Sequence, residues 1–487
     1  MSFKVAASDF IYEKTGKLRD VYKISKKVGE GAFSSVRRIK HRVTGEKRAV
    51  KTVHKKSLRT EEEKNMVFNE VAILRSLDHP GIIKLHEYYQ DELNYYIITE
   101  FCSGGELFER ILNQGCISES VAAEYMKQIF SILIYLQERG VVHRDLKPEN
   151  FLLSGPEETA YLKLIDFGSS QFCTPGEIMT SKVGTPYYIP PEVLRKHYNY
   201  KCDLWSAGVL MYILLCGYPP FGGNTDQEIL KKVSIGRFSF PSPEWDEVSF
   251  EAKDLIEKLL NTDLTRRYDA RQALAHSWIA NASTLPLNRA NASQLLHNLK
   301  NFRSEQMLKK ATIGFITSQL ATKNEREEMM ELFRSLDTDN SGTLSAKEIK
   351  EVFRSLDTDN SGTLSAKEIK EGFRLLFGSE INDIDTEVEK IMKQVDLDGS
   401  GEIEYSEFVS ATLSRQQLLS KERLEMAFMA FDLDGSGTIT ANELKEVLGK
   451  HHSYQEDMWS KLIAEADFNG DGVIDLTEFT KMMLAAF

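Results

Sequence analysis

The chain has 487 residues, with 61 Lys and Arg against 73 Asp and Glu, and its formal net charge is −12. Its length predicts two to four domains, and a hydrophobic fraction of 41% excludes a disordered chain. No apolar run reaches the roughly 20 residues of a membrane helix. The N-terminus MSFKVAASDF has no signal-peptide pattern and no glycine at position 2 for myristoylation. We expect a soluble, cytoplasmic protein.

The charge is concentrated at one end of the chain. Residues 321–487 contain 18 Lys and Arg and 35 Asp and Glu, a net charge of −17, whereas residues 1–320 carry +5. This distribution disfavours nucleic-acid binding and makes the C-terminal third a candidate for cation binding. The five cysteines form no C-x-x-C pair and are odd in number, which predicts reduced thiols.

The first 100 residues are rich in strand patterns. The strand VYKISKKV runs into Gly29-Glu30-Gly31, where glycines let backbone N–H groups approach nucleotide phosphates. Ser34 replaces the third glycine of the usual pattern, so this loop alone is a weak signal. Lys51 follows on the strand RAVK, and Glu70 lies in the helical segment VFNEVAILRSL, from which it can reach that lysine.

Three further motifs follow in order along the chain and strengthen the weak signal of the glycine-rich loop. HRDLKPEN occupies residues 143–150, DFG residues 166–168 and PPE residues 190–192. Together with the earlier segments they resemble a eukaryotic protein kinase domain over residues 20–278, which implies the α+β bilobal kinase fold. HRDLKPEN and Thr185 resemble the Ser/Thr branch of that family.

The resemblance implies a set of catalytic roles. Lys51 would hold the α- and β-phosphates of ATP and would be fixed by Glu70, while Asp145 would accept the proton of the substrate hydroxyl and Lys147 would neutralise the transferring phosphate. ATP and Mg²⁺ are the implied cofactors. The implied nucleotide and Mg²⁺ contacts are Gly29, Gly31, Val36, Lys51, Thr99, Glu100, Cys102, Glu106, Asn150 and Asp166.

Three more expectations concern regulation and specificity. Glu106 and Glu149 resemble residues that read basic side chains, which predicts Arg or Lys three positions before the phosphorylated Ser/Thr. Glu177 lies where its charge can pair with Arg144 and make loop phosphorylation unnecessary; the alternative is an exposed glutamate, with Thr180 or Thr185 as the switch. A kinase fold without activity is the competing interpretation of the domain, and the intact motifs disfavour it.

A twelve-residue loop pattern, D-x-[DN]-x-[DNS]-G-x5-E, occurs five times in the acidic third. Ca²⁺ takes six to eight oxygen ligands, and such a loop supplies them from positions 1, 3, 5, 7 (a backbone carbonyl) and 12, with a glycine at position 6. The region resembles the EF-hand proteins, and we favour a calcium sensor over a calcium buffer. The expected ligands are Asp337, Asp339, Ser341, Thr343 and Glu348; Asp357, Asp359, Ser361, Thr363 and Glu368; Asp396, Asp398, Ser400, Glu402 and Glu407; Asp432, Asp434, Ser436, Thr438 and Glu443; and Asp467, Asn469, Asp471, Val473 and Glu478.

The first two loops lie in a direct repeat. Residues 333–351 recur without change at 353–371, and only eight residues separate the two loops. Eight residues span about 12 Å as a helix, too short for two helices and a linker. Because the second copy has the normal spacing to the next loop, we predict that 357–368 is the structural first hand and that 337–348 is the extra copy.

Residues 281–325 connect the two parts with basic side chains, such as Lys300 and Lys309, among apolar ones at helical spacing. Such a helix suits a membrane surface or the groove of a calmodulin-like domain, and the adjacent charge of −17 favours the groove. A plain spacer is the simpler alternative.

The combined order resembles the calcium-dependent protein kinases of plants and protists. It implies an N-terminal extension (1–19), the kinase domain (20–278), an autoinhibitory junction (279–325) and an all-α EF-hand calmodulin-like domain (326–487). The implied protein is a monomer without a membrane anchor, whose partners are its own junction helix and basic protein substrates. Two alternatives stay open: a calcium-dependent scaffold on an inactive kinase fold, and a kinase that needs separate calmodulin.

Overall fold

The computed structural model describes residues 7–11, 13–14, 16–30, 34–107, 118–155, 160–174, 176–280, 307–349, 384–413, 418–449 and 457–485. Within these ranges the chain forms two large bodies, each around its own hydrophobic core. The first contains a β-sheet lobe and a helical lobe, and the second is helical. This arrangement confirms the predicted α+β bilobal fold followed by an all-α domain. None of the helices in the described ranges has the length and apolar character that a bilayer span requires.

The β-sheet lobe is a five-stranded antiparallel sheet in the order β1-β2-β3-β5-β4. Lys51 lies in the middle of β3, between Val36 of β2 and Ile97 of β5. One helix, Glu61–Ser76, packs beside the sheet, and its N-terminus is closed by a capping box between Thr60 and Glu63. The strands are β1 Tyr22–Glu30, β2 Ser34–His41, β3 Lys47–His54, β4 Leu85–Gln90 and β5 Asn94–Glu100.

The helical lobe is built around two buried helices. Lys201–Cys216 is apolar on every side, which is typical of a helix enclosed by protein, and Glu119–Glu138 packs across it. Short antiparallel pairs, Val141–Val142 with Gln171–Phe172 and Phe151–Leu153 with Leu162–Leu164, hold the loops that face the cleft. The other helices of this lobe are Pro191–Leu194, Asp226–Ile235, Phe250–Leu259, Ala270–Leu274 and Ser277–Ala280, whereas the short helix Leu18–Val21 precedes β1 in the sheet lobe.

The second body begins with the junction. Its described part is the helix Met307–Phe315, which continues into a π-helical turn, Ile316–Leu320. Leu308, Ile313 and Ile316 are fully buried in the core of this body. The remaining helices are Lys323–Leu336, Ile384–Val395, Tyr405–Thr412, Lys421–Phe431, Ala441–Leu448, Asp457–Ala464 and Leu476–Ala485, with a strand pair Thr438–Ile439 and Ile474–Asp475.

Candidate active site and calcium loops

A buried lysine forms the centre of the cleft between the two lobes. Lys51 Nζ donates to both carboxylate oxygens of Glu70, at 2.7 and 2.9 Å, and to Asp166 Oδ1 at 2.9 Å. Burial alone would lower the pKa of Lys51, but the two carboxylates outweigh it and hold that pKa above its usual value. The cleft therefore keeps a fixed positive charge where the sequence predicted the phosphates. It joins three predicted residues: Lys51 from β3, Glu70 from the helix Glu61–Ser76, and Asp166 from the turn after Leu162–Leu164.

The catalytic loop after β6 (Val141–Val142) holds Asp145 in a defined orientation. Its carboxylate accepts hydrogen bonds from Lys147 Nζ at 2.6 Å and from Thr185 Oγ1 at 2.8 Å. Asn150 Nδ2 donates to the Asp145 carbonyl at 2.8 Å, which places a side-chain amide oxygen beside the cleft. The group offers one carboxylate to accept a proton and one ammonium to balance phosphate charge.

The sequence did not reveal the role of Asp203 in this loop. Its buried carboxylate accepts the backbone N–H groups of His143 and Arg144, both at 2.8 Å. Arg144 itself has a positive φ of 69°, so these two bonds hold the loop in a turn that a non-glycine residue rarely adopts. Residues 203–208 have the pattern D-x-W-x-x-G, which by itself gives no partner for the aspartate.

The predicted pair between Glu177 and Arg144 is wrong. Glu177 is exposed and accepts hydrogen bonds from the N–H and hydroxyl of Thr174. Arg144 instead donates to the Ser169 carbonyl at 2.6 Å, to Gln171 Oε1 at 2.7 Å and to the Tyr198 hydroxyl at 3.4 Å. Glu177 accepts hydrogen bonds from the nearest donors in its own turn, and the hydrogen-bond donors of Arg144 are used by neutral acceptors.

The sheet and the segment after it carry the other residues of the predicted cleft. Gly29 pairs with Val36 at the end of β1, and Thr99 pairs with Ala49 at the end of β5, directly before Glu100. Glu192 and Arg267 form a buried ion pair, with Arg267 Nη2 3.0 Å from Glu192 Oε2. Gly31 lies outside the described residues. Cys102 and Glu106 follow β5 and are half-buried.

Four calcium loops in the described ranges bring three carboxylates together, with one oxygen of each within 4.8 Å of the others. In the first, burial and the neighbouring Glu348 raise the pKa of Asp337 well above its usual value. Clustered carboxylates that repel one another are the donor set of a hard divalent cation. The predicted ligands therefore fit Ca²⁺. The four clusters are Asp337, Asp339 and Glu348; Asp396, Asp398 and Glu407; Asp432, Asp434 and Glu443; and Asp467, Asp471 and Glu478.

The loops are joined in pairs through their eighth residues. Ile439 pairs with Ile474, and Leu344 pairs with Ile403 through N–H···O bonds of 2.9 Å in both directions. The first copy of the repeat, 337–348, therefore stands opposite 396–407, and the prediction that the second copy takes this place is wrong for this structure. The second copy, with Asp357, Asp359, Ser361, Thr363 and Glu368, lies outside the described residues.

The first loop pair rests directly on the kinase body. A Cβ added to Gly342 would lie 2.1 Å from the ring of His79, and the Ser406 N–H donates to the Asp78 carboxylate at 3.0 Å. Arg334 donates to Glu124 at 2.6 Å. Residues 78–81 lie in the connection between the helix that carries Glu70, which ends at Ser76, and β4, which begins at Leu85, so the calcium loops contact the segment that follows this helix.

Comparisons with known proteins agree with this division of the chain. The protein kinase domain family matches residues 22–279, the EF-hand domain pair family matches residues 346–413 and 421–484, and a further EF-hand domain matches residues 328–355. The matched pair 346–413 joins the second copy of the repeat to loop 396–407, whereas the structure uses the first copy.

Similar full-length relatives are calcium-dependent protein kinases. Calcium-dependent protein kinase 4 of Plasmodium berghei is 38% identical over 99% of this chain and 89% of its own length. Calcium-dependent protein kinase 5 of Plasmodium falciparum is 39% identical over 98% and 80%, and calcium-dependent protein kinase 11 of rice is 38% identical over 96% and 77%. The chain belongs to the calcium-dependent protein kinase family.

Proposed function

We propose that this enzyme transfers the γ-phosphate of ATP to Ser or Thr and that Ca²⁺ on its own loops releases it from inhibition by the junction. In this proposal Asp145 accepts the hydroxyl proton and Lys147 balances the charge of the transferring phosphoryl group. Lys51 positions the α- and β-phosphates. Asp166 and Asn150 would hold Mg²⁺, which would neutralise phosphate charge.

The observation that carries the proposal is the contact between the first calcium-loop pair and the kinase segment 78–81. Asp78 accepts a hydrogen bond from the loop pair, and His79 packs against Gly342. The helix that begins at Glu61 and carries Glu70 ends just before this segment. A calcium-driven change in the loops thus has a short physical route to the Lys51–Glu70 ion pair.

The described part of the junction supports a released state. Its helix Met307–Phe315 is buried in the calcium-loop body, and the Gln319 carbonyl accepts a hydrogen bond of 2.8 Å from Arg48 of β3. Calcium can favour this arrangement only to the extent that it binds it more tightly than the inhibited one.

We propose further that substrates carry Arg or Lys three residues before the phosphorylated Ser/Thr. Glu149 is exposed beside the catalytic loop, and Glu106 is half-buried where its backbone bridges to Leu152. Carboxylates at these places attract a basic side chain. A peptide array tests this preference, and selection of acidic or proline-directed peptides would contradict it. Glu149→Gln is expected to raise KM for the basic peptide and to leave KM for ATP unchanged.

One assay tests the central proposal. The purified full chain is incubated with Mg-ATP and a basic peptide, with Ca²⁺ or with a chelator, and without added calmodulin. We expect phosphorylation only with Ca²⁺. Equal rates under both conditions would contradict activation by Ca²⁺. If the enzyme is active only when calmodulin is added, the loops act as a calcium buffer rather than as the sensor.

A second assay tests inhibition by the junction. A chain that ends at residue 280 retains the hydrophobic core of the kinase body and lacks the junction. We expect it to be active with and without Ca²⁺. If it is inactive while the full chain is activated by Ca²⁺, the junction is an activator rather than an inhibitor.

A further inference from the structure

Two consecutive side chains near the start of the described chain are buried in different bodies. Phe10 is 2% exposed and belongs to the hydrophobic core of the calcium-loop body, whereas Ile11 is 4% exposed and belongs to the core of the kinase body. We call residues 7–11 the N-terminal clip. The clip spans the boundary between the two bodies within a single peptide bond.

On one side the clip contacts the junction and a calcium-loop helix. The rings of Phe10 and Phe315 have centroids 5.5 Å apart in an edge-to-face arrangement, and Phe315 in turn lies 6.2 Å from Phe431. The turn Ala7–Phe10 also contacts the helix Ala441–Leu448. Phe10 therefore fills an apolar groove formed by the junction and the second loop pair, which consists of loops 432–443 and 467–478.

On the other side the chain that follows the clip is hydrogen-bonded to the open edge of the sheet. Lys14 N–H donates to the Tyr88 carbonyl at 2.9 Å, and Glu13 accepts from Gln90 Nε2 at 2.7 Å. Tyr88 and Gln90 belong to β4, the edge strand of the sheet. Pairing with an exposed edge uses backbone groups that would otherwise face solvent, so this anchor holds the clip to the kinase body.

The groove around Phe10 is tied to a calcium site. The helix Ala441–Leu448 carries Glu443 in its first turn, and Glu443 is the last ligand of the loop that begins at Asp432. In calcium sensors, binding at this position turns the following helix and opens an apolar groove. A side chain seated in such a groove is bound more tightly with calcium than without it.

We propose that the N-terminal clip is an intramolecular ligand of the calcium-loaded second loop pair, and that Phe10 thereby ties this pair to the β4 edge of the kinase body. Calcium strengthens the docking of Phe10, and by thermodynamic reciprocity the docking of Phe10 strengthens calcium binding by the same factor. Loss of the phenyl ring lowers calcium affinity although Phe10 contributes no ligand atom.

The test compares the wild-type chain with two full-length variants by calorimetric Ca²⁺ titration and by the Ca²⁺ dependence of peptide phosphorylation. Phe10→Ala is expected to raise the midpoint Ca²⁺ concentration by about fivefold, the scale of a typical coupling between two sites. Leu18→Ala is the matched control, because Leu18 is 6% exposed and is buried only in the sheet lobe. Its midpoint is expected to equal that of the wild type.

Two results would overturn the proposal: a Phe10→Ala midpoint within a factor of two of the wild type, or an equal shift in Leu18→Ala. If Phe10→Ala does not fold, Phe10→Leu replaces it and is expected to shift the midpoint in the same direction; no shift overturns the proposal. The calorimetric readout is independent of the proposed function, since a chain without calcium-activated phosphorylation still shows whether Phe10 affects Ca²⁺ binding.

Discussion

The catalytic cleft and the calcium loops stabilise their carboxylates in opposite ways. In the cleft, Glu70 and Asp166 share the ammonium group of Lys51. Among the described residues, the clustered carboxylates of the loop that ends at Glu407 are held by hydrogen bonds from backbone N–H groups and from the Ser400 side chain rather than by a lysine or arginine. Burial and Asp398 raise the pKa of Glu407 well above its usual value.

This difference shows where the energy for regulation comes from. In the cleft the protein itself supplies a cation, Lys51, to the two carboxylates, so this geometry is assembled from the protein's own side chains. The loop that ends at Glu407 clusters negative charge that a divalent cation relieves. Calcium binding can therefore do conformational work in the loops that nucleotide binding does not need to do in the cleft.

The largest expected effect comes from a substitution in the catalytic cleft. Asp145→Asn removes the carboxylate that we propose accepts the proton of the substrate hydroxyl, while it keeps the shape of the side chain. We expect the calcium-activated rate to fall by about 10²- to 10⁴-fold, the usual contribution of a general base. Calorimetry is expected to show unchanged Ca²⁺ binding. A variant with more than a tenth of the wild-type rate would exclude Asp145 as the base.

The second test concerns the calcium loops and compares the same substitution in the two copies of the repeat. Glu348→Gln removes one charge from the loop that pairs with Ile403, and we expect the affinity of that site to fall by at least about tenfold. Glu368→Gln makes the same change in the identical second copy. The structure predicts a smaller loss there, which calorimetric titration of both variants measures. Equal losses would show that both copies bind Ca²⁺.

A third test asks how closely the loops and the kinase body are joined. Gly342 and Gly472 are both the sixth residue of a calcium loop, with φ of +83° and +85°, so alanine at either costs about 1–2 kcal/mol of backbone strain. Only Gly342 lies against another residue, His79, whereas nothing lies within 4 Å of the Cβ position at Gly472.

We therefore expect Gly342→Ala to lower the melting temperature more than Gly472→Ala, with an added cost of about 1–3 kcal/mol for overpacking. Calorimetric melting of both full-length variants measures the difference. Equal melting temperatures would mean that the first loop moves away from His79 without cost.

The smallest expected effect concerns the activation loop. The Tyr198 hydroxyl accepts from Arg144 and donates to the Ser181 carbonyl at 2.9 Å. Tyr198→Phe removes both bonds, worth about 0.5–1.5 kcal/mol each, and we expect kcat to fall by roughly two- to tenfold with KM for ATP unchanged. Glu177→Gln serves as the control and is expected to keep wild-type activity. A larger loss in Glu177→Gln would restore the charge-pair hypothesis.

Much of the site could be predicted because phosphoryl transfer and calcium binding each demand particular side chains at fixed spacings. Lys51, Glu70 and Asp166 are distant in sequence, yet the motifs that contain them identified the group that the structure brings within 3 Å. The partners of Arg144 were not predictable in this way. Gln171 and Tyr198 belong to no charged pattern, and only the fold brings their oxygens to the guanidinium group.

The sequence by itself determined the chemistry of this protein: a kinase cleft, calcium loops, and the residue types that serve each. The choice between two identical loops lay beyond it, because 19 shared residues give both copies the same local preferences. The tertiary structure decided that Leu344 pairs with Ile403 and that Gly342 rests on His79. It also placed Phe10 and Ile11 in separate cores, since burial depends on neighbours from distant parts of the chain rather than on adjacent residues.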